Sequence, residues 1–252
     1  MSAPHRTKDF WLGALRGEEA AFRAAVSEPV FAEPVPSCPD WTIRDLVAHL
    51  GTIYRRQRAR VVRGVTSKPE GAEPVAVPED DAAMLPWFDE GYAALLHTLE
   101  TIDPEMPAWN WTVQPQKAIF WHRRMAHETA IHRWDAQVAV GLPEPIPQAL
   151  AVDGIDEVLD SWLPGGRRLG PVDRTGVIRL DASDADNRWA VRVRNEGITL
   201  LDIDSWFDAE PDAQAAAIGS ASDLLLALYG RIPLSTLEIQ GDPTLVSTLR
   251  TG

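Results

Sequence analysis

Apolar positions recur with helical period over residues 8–27, at Phe10, Leu12, Leu15, Ala21, Phe22 and Val26. The run Glu33-Pro-Val-Pro-Ser-Cys-Pro-Asp40 interrupts that pattern. Thr42 followed by Asp45 reads as a capping box, so a second helix opens there and runs to about Gly64. Residues 66–80 are rich in Pro and Glu and predict a surface loop. A third helix, about 81–102, carries Met84, Phe88, Leu95, Leu96 and Leu99, and Asp103-Pro104 breaks it. A fourth, about 116–140, stops at Gly141 before the prolines of 143–147. Four amphipathic helices joined by loops predict an antiparallel bundle.

Beyond the proline cluster the texture changes, which predicts one domain over 1–145 and another over 146–252. A helix at about 148–163 ends at Gly165-Gly166. Residues 176–181 and 189–194 alternate with period two and read as strands. Asn195-Glu196-Gly197 predicts a turn, and 198–203 a third strand. Residues 213–218 predict a fourth, although their alanines also suit a helix. Gly219–Ser222 caps a helix over 223–229, Leu237–Gln240 is a short strand, and 242–250 a terminal helix. The chain is therefore expected to be α+β: a helix bundle followed by a small α+β domain.

The fourth helix carries the candidate chemistry. Its inward stripe reads Trp121, Met125, Glu128, His132, Asp135 and Ala139. Glu128 and His132, four apart, share one face. A buried carboxylate needs a positive partner, and a divalent metal is one. His49, on the second helix with Leu46, Leu50 and Ile53, is a third candidate ligand. Two histidines and a glutamate leave coordination positions open. A hydrogen-bonded core histidine and a simple Glu–His helix pair explain the same spacing. Asp135, one turn beyond His132, is a candidate to orient that imidazole, or to pair with Arg124 or Arg133. His127 projects about 100° away around the helix. Cys38 reads as structural, with no base beside it to activate a thiol.

Composition narrows the function. Net charge is −13, from 37 acids against 24 bases, which argues against a nucleic-acid partner. The basic run Arg55–Arg60 is local, near a helix C-terminus where cations suit the dipole. No run approaches the roughly 20 apolar residues of a membrane span. The N-terminus lacks a signal-like apolar core, and one cysteine suits a reducing compartment, so a cytoplasmic location is expected. Ten tryptophans are many for this length; Trp109, Trp111, Trp121 and Trp134 cluster along the candidate segment.

Two segments carry a resemblance. Pro39-Asp40-Trp41-Thr42 with Asp45–Leu50, and His127–Ala136, resemble the mycothiol-dependent maleylpyruvate isomerase group, an actinobacterial branch of the DinB-like metal-binding four-helix bundles. Gly219–Arg231, with Gly241-Asp242 beyond, resembles that family's second domain, distantly like sterol-carrier folds. The resemblance spans about residues 8–250. It implies a metal triad of His49, Glu128 and His132 and mycothiol as thiol cosubstrate; two imidazoles and one carboxylate suit zinc first, with Fe, Ni or Co as alternatives. It also implies that Arg231 binds an anionic group of the thiol or substrate, although a cation at the end of the helix 223–229 explains the same position. A coordinated thiol is deprotonated, and the thiolate adds to a small electrophile such as a conjugated double bond. Reversal after bond rotation gives cis–trans isomerisation; retention gives S-transfer. The rival readings are a hydrolase using metal-bound hydroxide and a non-catalytic carrier of an apolar ligand. A monomer or homodimer is expected.

Overall fold

The computed structural model describes residues 7–71, 74–171, 173–195, 197–201 and 213–251. These fall into two compact units, one within His5–Glu144 and one within Pro145–Gly252. None of the described helices is long and apolar enough to cross a membrane.

The first unit holds four long helices: α1 Lys8–Ala25, α2 Ile43–Arg63, α3 Asp81–Thr101 and α4 Ile119–Ala139. Local signals set their starts. Thr7 caps α1 by accepting from the Phe10 amide, and Asp80 caps α3 by accepting from the Ala82 amide. At α2 the expected box is complete: the Asp45 amide donates to Thr42 and the Thr42 amide to Asp45. Gly64 closes α2 in the left-handed region (φ 64°), where glycine carries no side-chain penalty.

Cross-helix pairs give the directions. Arg44 meets Asp81, and Arg55 meets the Trp87 carbonyl, so α2 and α3 run the same way. Lys8 donates to the Glu100 and Ile102 carbonyls while Arg23 pairs with Asp89, which sets α1 against α3. His49 and Tyr54 of α2 meet Glu128 and Thr129 of α4, while Arg60, further along α2, lies over Trp121 near the start of α4, so α2 runs against α4. The bundle is thus two parallel pairs, α1 with α4 and α2 with α3, set antiparallel to each other. A parallel pair needs a return along the helix length, about 32 Å for a helix such as α2. Residues 64–80 supply that length.

The sequence pattern predicts α4 to be amphipathic, and the structure corrects this. Phe120, Trp121, His122, Arg124, Met125, Ala126 and His127 are all buried, as are Thr129 to Gln137. The other helices and the loops enclose α4, so its polar residues answer one another inside. Both imidazole nitrogens of His122 lie against carbonyls, those of Ala118 (2.9 Å) and Leu99 (2.8 Å). Arg133 meets Glu18 at 2.7 Å and also donates to Gln137 and the Glu144 carbonyl.

The second unit opens with α5 (Gln148–Glu157), which continues through a wider π turn, Val158–Trp162. A mixed sheet follows: β1 Gly176–Ala182, β2 Arg188–Arg194, β3 Gly197–Leu201, β4 Ala215–Gly219 and β5 Glu238–Gly241. Its order is β3-β2-β1-β4-β5, with β1 and β4 parallel and the other neighbours antiparallel. The alanine-rich segment is a strand because it sits between β1 and β5, where pairing overrides helix propensity. The third expected strand extends to residue 203, but 202 and 203 lie outside the described residues, as does Glu196 of the expected turn. Helix α6 (Ala221–Leu228) is capped by Ser220.

The expected terminal helix over 242–250 is shorter in the structure. Helix α7 covers only Pro243–Val246 and runs into a 3-10 turn, Ser247–Leu249. Ser247 and Thr248 hydroxyls donate to the Thr244 and Leu245 carbonyls, and such bonds compete with a continuing helix.

The Arg133–Glu18 pair joins α4 to α1 with both side chains buried. Arg133→Met leaves Glu18 buried without its cation, so unfolding stability is expected to fall by about 3–5 kcal/mol. Adding Glu18→Leu should recover most of that loss. Urea unfolding curves check both; equal stability of the single variant and the parent would contradict the assignment.

Candidate metal centre

The loop before α2 builds the roof of the site. Backbone bonds from Cys38 to Val35, from Trp41 to Cys38 and from Val35 to Trp41 close it tightly. Asp40 adopts φ 70°, a left-handed conformation that Asp tolerates better than most residues. Trp41 then lies against both histidines, with ring centroids 4.8 Å from His49 and 6.2 Å from His132.

Beneath it His49, Glu128 and His132 converge. Glu128 Oε1 lies 3.2 Å from His49 Nε2 and 3.4 Å from His132 Nε2. One ligand atom from each of the three falls within 4.8 Å of the others. Two ligands held at about 2.1 Å from a tetrahedral ion stand roughly 3.4 Å apart. The donor set and the spacing therefore fit a divalent metal. Side-chain exposure rises from 8% at His132 through 16% at Glu128 to 31% at His49, so the opening is on the α2 side.

The surroundings hold these groups in place. Asp135 Oδ2 is 2.9 Å from His132 Nδ1, which presents Nε2 toward Glu128. Asp135 also accepts from the Ser37 hydroxyl and from the Cys38 thiol at 3.4 Å. Of the alternative partners suggested for Asp135, Arg133 meets Glu18 and Arg124 donates to Glu128 Oε2 at 3.0 Å. Cys38, His132 and Asp135 make a second cluster of possible ligands.

The sequence reading missed three contributors. The Arg124–Glu128 pair has a readable four-residue spacing. Ser37 reaches Asp135 across 98 positions of the chain, and nothing local announces that contact. Trp41 was read within a motif and not as a cover for the imidazoles. His127 is buried on another side of α4 and belongs to neither ligand cluster. Arg231 lies in the second unit, after Gly230 at the end of α6, and its guanidinium donates to the Tyr229 carbonyl at 3.1 Å.

Residues 12–137 match the model of the mycothiol maleylpyruvate isomerase N-terminal domain, and 149–248 that of the MDMPI C-terminal domain. The chain belongs to the mycothiol maleylpyruvate isomerase family. Two solved structures share its fold. One is a mutant of the mycothiol-dependent maleylpyruvate isomerase, with TM-score 0.62 and 13% identity over 93% of each chain. The other is the mycothiol-dependent maleylpyruvate isomerase itself, with TM-score 0.58 and 14% identity over 90% of each chain. No curated protein matches the chain.

Protonation follows from this geometry. Burial works to raise the pKa of Glu128, but hydrogen bonds from His132 and His49 and the Arg124 charge outweigh it. Its carboxyl is held well below the usual range. Burial works to lower that of His132, but bonds to Asp135 and Glu128 and their charges push it up to about 9. Without metal, His132 is therefore charged at neutral pH and donates to a carboxylate from each nitrogen.

Binding of a metal at His132 Nε2 has to displace that proton. Apparent metal affinity is expected to rise about tenfold per pH unit from pH 6 toward 9 and then level off. Chelator competition across that range checks it; a flat profile would contradict it. At fixed pH, His49→Ala and His132→Ala should lose most bound metal. Asp135→Asn should weaken binding by about 10–100-fold, and His127→Ala should change nothing. Full retention of metal by both single histidine variants would exclude the triad.

Proposed function

We propose that the chain is a metal- and mycothiol-dependent isomerase or S-transferase acting on a small electrophile. The observation that carries this reading is the convergence of His49, Glu128 and His132 on one point in a member of this family. Two imidazoles and a carboxylate suit zinc. When bound, such a metal lowers the pKa of a thiol enough to give thiolate at neutral pH.

The chain's own residues do the rest. Asp135 keeps the Nδ1 proton of His132 and fixes which nitrogen faces Glu128. Arg124 offsets the outer oxygen of Glu128. Trp41 packs against both imidazoles and excludes water from that side. We assign to Arg231 the anionic part of the thiol or substrate. Addition of a thiolate to a conjugated double bond leaves a single bond free to rotate. Expulsion of the same thiolate restores the double bond in the other geometry, and retention of the adduct gives S-transfer. A reducing, cytoplasmic setting goes with this reading, since the thiol acts only in reduced form.

Turnover of a panel of electrophilic alkenes is expected only when mycothiol is added to the metal-loaded protein. Arg231→Met should raise the KM for thiol or substrate about tenfold or more, the scale of a lost charged hydrogen bond, with metal content unchanged. Thiol-independent turnover would favour the hydrolase. Tight binding of an apolar ligand with no turnover would favour the carrier.

A further inference from the structure

The run Arg55-Arg56-Gln57-Arg58-Ala59-Arg60, with Arg63 beyond, is anomalous in a chain of net charge −13. A cavity of about 500 Å³ opens beside it, with Arg56, Ala59, Arg60 and Arg63 of α2 on one wall and Glu70 and Val75 on another. That is the size class of small-molecule sites.

The cations along this wall are not equivalent. Arg55 is committed to the Gly51 and Trp87 carbonyls and to Glu90. Arg60 donates to Gln57, and its guanidinium lies 5.2 Å from the Trp109 ring centroid and 5.6 Å from that of Trp121. Burial, and then the neighbouring Arg56 charge, lower its pKa from the usual value. Among the described residues Arg56 and Arg63 make no ion pair, and the buried Nε of Arg56 has no acceptor. Glu70 is the one carboxylate among the described lining residues, and it forms no ion pair with them. Placement near the end of α2 accounts for cations there. It does not account for several guanidinium groups gathered on the wall of one cavity.

We propose that Arg56, Arg60 and Arg63 form an anion-binding cleft that takes the phosphate or carboxylate head of a small organic ligand. Both head groups match the guanidinium fork. Arg56 follows His49 by seven residues on the same face, about 10 Å along the helix. None of His49, Glu128 and His132 lines the cleft, so its existence does not rest on the metal reading.

Inorganic phosphate and benzoate, each titrated into the full chain at constant ionic strength, test this by calorimetry and tryptophan fluorescence. Saturable binding of at least one is expected, with a fluorescence change because Arg60 lies over two indoles. The tighter probe names the head group. Arg56→Met combined with Arg63→Met should weaken binding about tenfold or more while metal content and thermal unfolding stay as in the parent. Arg58→Met removes an exposed charge outside the cavity lining and should leave binding within about twofold. Absence of saturable binding for both probes would overturn the proposal. So would equal weakening in Arg58→Met and the double variant, which would mean general charge attraction.

Discussion

The arrangement of the first unit depends on the carboxylate of Glu128. It is ionised inside a helix bundle, where an unanswered charge costs several kcal/mol. Arg124 takes one oxygen, and the Nε2 atoms of His49 and His132 approach the other. His132 is in turn fixed by Asp135, and Asp135 by Ser37 and Cys38 of the loop before α2. One charge thereby ties α2, α4 and the proline-rich loop together. Remote side chains such as Ser37 and Trp41 accordingly serve the same few ångströms of space.

The same logic explains α4. A helix enclosed on almost every side is expected to be apolar, yet this one buries Arg124, Asp135, Arg133 and three histidines. Each charge finds its complement within reach: Arg133 with Glu18, Arg124 with Glu128, Asp135 with His132. The opening on the α2 side is where the network meets solvent, and there a metal and its exogenous ligands can enter.

Much of this was legible in the sequence, and for physical reasons. Capping chemistry is local, so the Thr42–Asp45 box located the start of α2. Helical period is local too, so Glu128 and His132 were placed on one face, and a shared inward face pointed to His49. What failed was non-local. The burial of α4 depends on how three other helices and their loops surround it, which the stripe along its own sequence does not show. The terminal helix was overextended because Ser247 and Thr248 divert backbone carbonyls that the periodicity of the apolar residues ignores. The unpaired arginines of α2 were read as dipole partners, since only the fold shows the cavity beside them.

The identity of the atoms that would hold the metal decides how the site works. Two clusters compete for it: His49, Glu128 and His132, which has no sulfur, and Cys38, His132 and Asp135, which has one. X-ray absorption on the zinc-loaded protein separates them directly. Nitrogen and oxygen neighbours are expected at about 2.0–2.2 Å and no sulfur until a thiol is added, when one sulfur shell should appear near 2.3 Å. A sulfur neighbour in the thiol-free protein, abolished by Cys38→Ser, would contradict the triad.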